Sequence, residues 1–381
     1  MKQGWEYKKL GEVCHITMGQ SPDGSSINDN EGVEFHQGKT CFGEHTLGVS
    51  NLFSNAPVKL AEAHSVLLCV RAPVGYPNIT DRKICIGRGL CALYAKEDID
   101  NKFLFYSLLG KQSHFEKNAT GSTFKAISSK VVSNTEIPIP PKSTQLAIVS
   151  ELDKINELIR LKKEQLKDYD NLAQSIFYEM FGDPVENEKG WEVKKIGDLA
   201  IVKTGPFGSM LHKEDYITDG IPLVNPVHMK DFKIVPDKEF TISKEKACDL
   251  ENYMLQNNDV VFARRGDIGR CAIVSKTEHG YLCGTGSLFV RFTEDIESVF
   301  IMYIVRSESF SKHLVSKAKG ATMLNINSNT IADLEILLPP LPLQHLFALR
   351  IEQIERQKSE VAKAITDLET LLASRMQHWF E

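Results

Sequence analysis

Arg264 and Arg265 stand side by side in the segment A-R-R-G-D-I-G-R that runs to Arg270. A guanidinium is planar and always charged, so it suits both the O6/N7 edge of guanine and the oxygens of a phosphate. Gly266 and Gly269 would let the backbone come close to such a ligand. The aligned turn nearer the N-terminus carries Arg71, with Arg82 and Arg88 downstream. Lys203 and Ser209 flank the glycine-rich stretch K-T-G-P-F-G-S, a loop type that meets phosphates or base edges. Gly121-Ser122-Thr123-Phe124-Lys125 parallels Gly320-Ala321-Thr322-Met323-Leu324-Asn325. That pair adds Thr123, Lys125, Thr322 and Asn325 as candidates, the amide suiting an adenine edge. Lys125 gives way to Leu324 in the second segment, so it is not an obligatory phosphate clamp. Each candidate also has a plainer reading, as a solvated turn or as half of an ion pair such as Asp267 with an arginine.

The motifs that would mark catalysis are spelled incorrectly. Gly32 to Thr40, GVEFHQGKT, imitates a phosphate loop but has five residues between its glycines instead of four. Gly87-x-Gly89-x-x-Ala92 imitates a dinucleotide fingerprint without the strand–helix unit and following acid that such a site needs. Asp183 with Glu192-x-Lys194 could pass for a nuclease set, but the aligned Glu6-x-Lys8 has no preceding acid. Asn225-Pro226-Val227 fails at the third position of the aromatic tetrapeptide with which amino-methyltransferases hold a flipped base. No metal-ligand cluster or Ser–His pairing stands out, and the chain reads as non-catalytic.

The elements that must position these residues are written twice. Gly4–Val13, GWEYKKLGEV, returns at Gly190–Leu199 as GWEVKKIGDL, an offset of 186. Val66–Gly75 returns at Val260–Gly269, offset 194, and Gly87-Arg88-Gly89 at Gly284-Thr285-Gly286, offset 197. The P-P boundaries at Pro141 and Pro340 are 199 apart. Offsets that creep upward are the mark of loop insertions in two equivalent domains. Within the units, Val66–Val70, Ile84–Leu93, Val260–Ala263, Cys271–Val274 and Leu288–Phe292 read as strands, and Asn101–Leu109 and Ser298–Ser307 as helices. The fold class expected is α+β, or mixed α/β, used twice.

After each Pro-Pro the pattern changes to a long helix. Ile148, Leu152, Ile155, Ile159 and Leu166 keep heptad spacing in the first helix, as do Ile351, Ile354, Val361, Ile365 and Leu368 in the second. Lys162, Lys358 and Arg375 interrupt the seams and are expected to fix register, by pairing with acids on the opposite helix or otherwise. The two helices are expected to pair as an antiparallel coiled coil with a pseudo-twofold relation. Each seam covers about 33 residues, on the order of 50 Å. The competing expectation is that each helix packs on its own domain. The expected division is 1–141 and 183–340 for the globular domains, 142–182 and 341–381 for the helices.

Composition sets outer bounds. The 381 residues carry 45 basic and 50 acidic side chains, a net charge of −5, which argues against a basic coat for nucleic acid or anionic membranes while leaving room for a local basic face. No apolar run is long enough to span a bilayer. Eight cysteines without a C-x-x-C pair read as buried free thiols in a reducing cytoplasm.

Taken together, the GWE-x-K-K-[LI]-G-[ED] openings, Lys203–Ser209, Ala263–Gly269, the Pro-Pro–helix boundaries and the F-G-D-P at Phe181–Pro184 resemble the specificity (HsdS) subunit of type I restriction–modification systems. The resemblance covers essentially the whole chain. It implies two target recognition domains, each reading one half of a bipartite sequence in double-stranded DNA. It also implies helices that set the half-site spacing and dock two methyltransferase (M) subunits. Those partners would bind S-adenosylmethionine and methylate adenine. Restriction (R) subunits using ATP and Mg would join through the complex, with no cofactor in this chain itself. Differences between the two units imply an asymmetric target. The rival readings are a standalone methyltransferase or nuclease with diverged motifs, and a coiled-coil adaptor that does not bind DNA.

Overall fold

A computed structural model describes residues 4–121, 125–208, 210–293, 296–318 and 325–380. The chain divides into two compact units, Met1–Lys163 with Ala362–Glu381, and Glu164–Val361. Each long helix, Lys142–Phe181 and Leu341–Phe380, contributes to both.

In the first unit a four-stranded antiparallel sheet runs in the order Cys14–Met18, Leu90–Ala95, Val66–Cys69, Pro77–Ile79. Its central strand, Val-Leu-Leu-Cys, is buried throughout because both faces are covered. Period-two alternation sorts the side chains. Val66 and Leu68 join a core with the Asn101–Leu109 helix, while Leu67 and Cys69 join a smaller core with Ile84 and Ile86. Ile84–Ile86 belongs to a second, five-stranded sheet, where it runs parallel to Val33–His36. The single strand expected over Ile84–Leu93 is therefore two strands in different sheets, broken at Gly87-Arg88-Gly89.

The second unit repeats this plan. Its main sheet runs Ala200–Thr204, Ser287–Phe292, Val260–Ala263, Cys271–Ile273, and a smaller sheet pairs Ile221–Val224 in parallel with Leu282–Cys283. Val260 and Phe262 face the helical core; Val261 faces the other. In both units the opening strand closes on the strand before the long helix: Glu6–Lys9 with Glu136–Ile139, and Glu192–Lys195 with Glu335–Leu338.

The helices pair antiparallel within each unit. In the first, Arg375 Nε donates to Glu151 and Lys163 meets Glu369 at 3.1 Å, so numbers rise on one helix as they fall on the other. In the second, Lys358 Nζ donates to Asp170 at 2.8 Å, and the Phe177 and Phe347 rings touch edge to face. Two of the seam-breaking cations, Lys358 and Arg375, thus meet acids on the opposite helix. Ile148, Leu152, Ile155, Ile159, Ile351, Ile354, Val361 and Ile365 are buried, while Leu166 and Leu368 are half-buried. Pairing and packing on a domain are not alternatives. Ile148 and Leu152 enter the first domain's core together with Phe380, which reaches Phe103, and Trp379 stacks on Trp5 with planes 4° apart. In the second domain Phe177 and Phe181, the end of the first helix, share a core with Phe347 and Ile351.

A buried glutamine fastens each helix start. Gln145 donates to the carbonyls of Asp98 and Pro140 and accepts from the Asp100 N–H, whose own side chain caps the next helix. Gln344 makes the matching bonds to Pro339 and Glu297. Among the described residues no helix is long and apolar enough to cross a membrane. The cysteines are all free thiols; six are buried, whereas Cys41 is half-buried and Cys248 exposed.

Candidate nucleic-acid interface

Four stretches of backbone are stitched into a rim on each domain. In the first, the Gly19 N–H donates to Leu90 O at 2.9 Å, and a Cβ at Gly19 would fall 2.1 Å from Gly87 O. Gly87 and Gly89 donate to His36 O and Gln37 O, and Val70 donates to Gly89 O. Arg71 bridges Ala126, and Ile127 donates back to Val70 O. The second domain repeats these stitches, with the Asn225 side chain in the place of the Gln37 carbonyl. Gly205 donates to Ser287 O with its Cβ position 2.0 Å from Gly284 O, Gly284 donates to Val224 O, Gly286 to Asn225 Oδ1, and Arg264 to Gly286 O. Arg265 bridges Asn325, and Ile326 donates to Arg264 O. At Gly19 and Gly205 two backbone segments cross too closely to leave room for a Cβ.

This scaffold gathers Arg71, Arg88 and Lys125, all exposed, on the first rim. It gathers Arg264, Arg265 and Asn325 on the second. Arg270 lies beside them but its guanidinium is engaged by Asp267 at 2.8 Å and by Pro226 O at 3.1 Å. Lys203 is half-buried, 3.4 Å from Asn252 Oδ1 and over the Tyr253 ring. Thr123, Ser209 and Thr322 lie outside the described residues. Arg82, expected at the DNA, is engaged within the protein instead. Its fork is spent on Glu34 at 2.6 and 2.7 Å, on Asp81, and on the carbonyls of Leu47 and Gly48. Burial works to raise the Glu34 carboxyl, but bonds from Arg82, the Ser50 N–H and His36 outweigh it and hold it at about 2. Arg82 therefore braces the small sheet.

Arg264 behaves oppositely. Among the described residues five arginines are half-buried: Arg82, Arg264, Arg291, Arg306 and Arg375. Four have an acid within 4 Å, namely Glu34, Asp259, Asp170 and Glu151. Arg264 has none, and its buried Nε lacks a hydrogen-bond partner. Desolvation, and then repulsion from Arg265, lowers its pKa below the usual arginine value. An inward cation without a counter-charge is costly unless a ligand brings one. Arg71, Arg88 and Arg265 likewise have no acid partner among the described residues, so both rims hold uncommitted guanidiniums.

Three rim positions escaped the reading of the sequence. Gln37 is exposed at the turn where the imitation phosphate loop sits, next to Lys39, whose ammonium lies 5.4 Å from the Tyr76 ring centre. Asn225 takes the equivalent place in the second domain, and Thr285 the place of Arg88. The repeated G-x-G was the available signal for Thr285. Among the described residues no group of three or more His, Cys, Asp or Glu could hold a metal ion.

A family model described as the type I restriction modification DNA specificity domain matches residues 2–168 and again 188–370. The chain belongs to this family. It carries two DNA specificity domains, each with one of the rims described above. A Methanocaldococcus jannaschii protein named for the MjaX specificity subunit of a type I restriction enzyme is 39% identical over 178 residues, 46% of this chain and 42% of that relative, so the match spans less than half of it. The MjaIX specificity subunit of the same organism is 22% identical over 90% of this chain and 85% of its own. The crystal structure of the S subunit of a type I system from M. genitalium superposes with a TM-score of 0.56 at 15% identity, covering 100% of this chain and 98% of that one. A structure solved for complex assembly and conformational transition of the type I R-M system gives 0.69 at 19% identity, with the same coverage. At these identities the structural likeness speaks to the fold.

Proposed function

We propose that this chain is the non-catalytic sequence-reading subunit of a type I restriction–modification complex. Each specificity domain reads one half of an asymmetric bipartite target in double-stranded DNA through its rim. The long helices set the unread spacer and dock two adenine-methyltransferase subunits. Those subunits bind S-adenosylmethionine, and the motor–nuclease subunits, with ATP and Mg, join through them in the cytoplasm. The observation that carries the reading is the set of acid-free arginines on both rims, above all half-buried Arg264. DNA supplies the missing negative charge, and a guanine edge supplies paired acceptors in the geometry of the fork. The unlike rims, Gln37, Arg71, Arg88 and Lys125 against Asn225, Arg264, Arg265, Thr285 and Asn325, support unlike half-sites.

The test is competition binding by the complex reconstituted with its methyltransferase subunits, on targets first found by genome-wide mapping of methylated adenine with and without this gene. Replacing Arg264 and Arg265 by Ala should abolish discrimination in one half-site and leave the other intact. Equal loss in both halves would refute base reading by these residues. Turnover of S-adenosylmethionine or DNA cleavage by this chain alone would refute the non-catalytic assignment.

A further inference from the structure

The most exposed large apolar side chains described in the second unit are Phe207, at 62%, and Val227, at 60%. Both leave the second rim from anchored backbone. Phe207 lies two residues beyond Gly205, whose crossing over Gly284 fixes the loop's exit, and Pro206 between them is buried. Val227 sits on the turn Pro226–His228, held where Gly286 donates to Asn225 Oδ1 and Arg270 donates to Pro226 O. Gly286 in turn accepts the N–H of Arg264. Two exposed apolar groups thus flank the Gly284–Gly286 segment to which the unpaired cation is bonded.

A phenyl ring held out to water from a buried proline, on a loop stitched to the same Gly284–Ser287 segment as acid-free Arg264, suits a partner that is both anionic and rich in flat apolar faces. Resting on the reading of this rim as a DNA reader, we infer that Phe207 inserts between neighbouring bases of the second half-site, with Val227 packed on the groove wall beside it, while Arg264 and Arg265 hold the adjoining edges and phosphates. Apolar wedges of this kind unstack one base step and kink the duplex, most easily at flexible pyrimidine–purine steps. The loop of the first domain aligned with Phe207 does not carry the ring. The aligned loop has Ser21, half-buried with its hydroxyl oxygen buried and unbonded, at the place of Phe207. The two half-sites then differ at this position: the ring deforms the second, and the first meets Ser21 there.

The experiment uses the complex reconstituted with its methyltransferase subunits and duplexes carrying 2-aminopurine at successive positions of the second half-site, the methylated adenine left unlabelled. The wild-type complex should brighten one step. Phe207→Ala and Phe207→Ser should abolish that signal and weaken binding about 10- to 100-fold, the scale of one lost stacking contact. Phe207→Trp and Phe207→Leu should keep both. Discrimination within the first half-site should stay intact in every variant, which also reports that the protein is folded. Unchanged binding by Phe207→Ala, or no brightened step in a wild-type complex that binds specifically, would overturn the wedge alone. Absence of any sequence-specific binding by the wild-type complex would overturn the assignment of the rim as well.

Discussion

Replacing Arg264 by Met should make the free protein more stable and the DNA complex weaker. Arg264 holds a half-buried guanidinium with no acid partner among the described residues and a buried Nε with no hydrogen bond. Leaving one such donor unsatisfied costs about 1–3 kcal/mol, and a methionine of similar length removes the donor while keeping the apolar stem. The expected gain is about 1 kcal/mol, or roughly 2–4 °C in the melting of a unit this large. Arg82→Met is the control of opposite sign. Its guanidinium is bidentate to Glu34, whose side chain is only 11% exposed, so removing it strands a carboxylate and should cost about 2–3 kcal/mol. Thermal unfolding of both variants, with binding of the reconstituted complex measured across salt, gives the two readouts. Arg264→Met should also lose about 1–3 kcal/mol of discrimination at one base pair. A destabilised Arg264→Met protein, or one that binds its target as tightly as wild type, would refute the idea that this cation awaits DNA.

Gln145→Leu or Gln344→Leu should destabilise its own unit by about 2–4 kcal/mol, because backbone groups at a buried helix start lose their partners; chemical denaturation would show it. Gly205→Ala places a Cβ 2.0 Å from Gly284 O, so the crossing must open, and loss of second half-site binding without loss of the first is the expected result. The Glu34 carboxyl is held at about 2 in the folded protein against 4.5 for an ordinary glutamate, so its contribution, about 3 kcal/mol, is complete above pH 4.5 and fades as pH falls toward 2. Glu34→Gln should flatten the acid limb of the stability–pH curve in that window. Deleting one heptad from each long helix shortens the helices by about 10 Å and should shorten the preferred spacer by about three base pairs, readable from the methylated sites.

The parts of the fold that could be read in advance are those governed by period and repetition. A heptad seam announces itself because every turn reinforces it, and Ile148, Leu152, Ile351 and Ile354 are buried accordingly. Matching openings and glycine pairs revealed the duplicated plan. What stayed hidden depends on partners far apart in the chain. Arg82 looked like a DNA contact because nothing local shows that Glu34, 48 residues earlier, will claim it. Gln145 reads as one more polar residue at a helix start, yet it is wholly buried because three backbone groups converge on it. Gln37 was passed over inside a failed motif, since exposure at a rim is a property of the assembled backbone. The seam also concealed that the helix ends leave the pairing to finish the domain cores.

That last feature bears on how the protein comes to be made. The first domain's core is closed by Phe380, and Glu151 near the start of one helix bonds Trp379, 228 residues downstream. A nascent chain that has completed the first domain and its helix lacks the Phe380 and Trp379 contacts with Phe103 and Trp5 until the later residues emerge. The last contacts of that core therefore form only once the second helix has been made. Chains interrupted before the second helix carry an open apolar seat, a natural handle by which chaperones and proteases can tell half-made readers from finished ones.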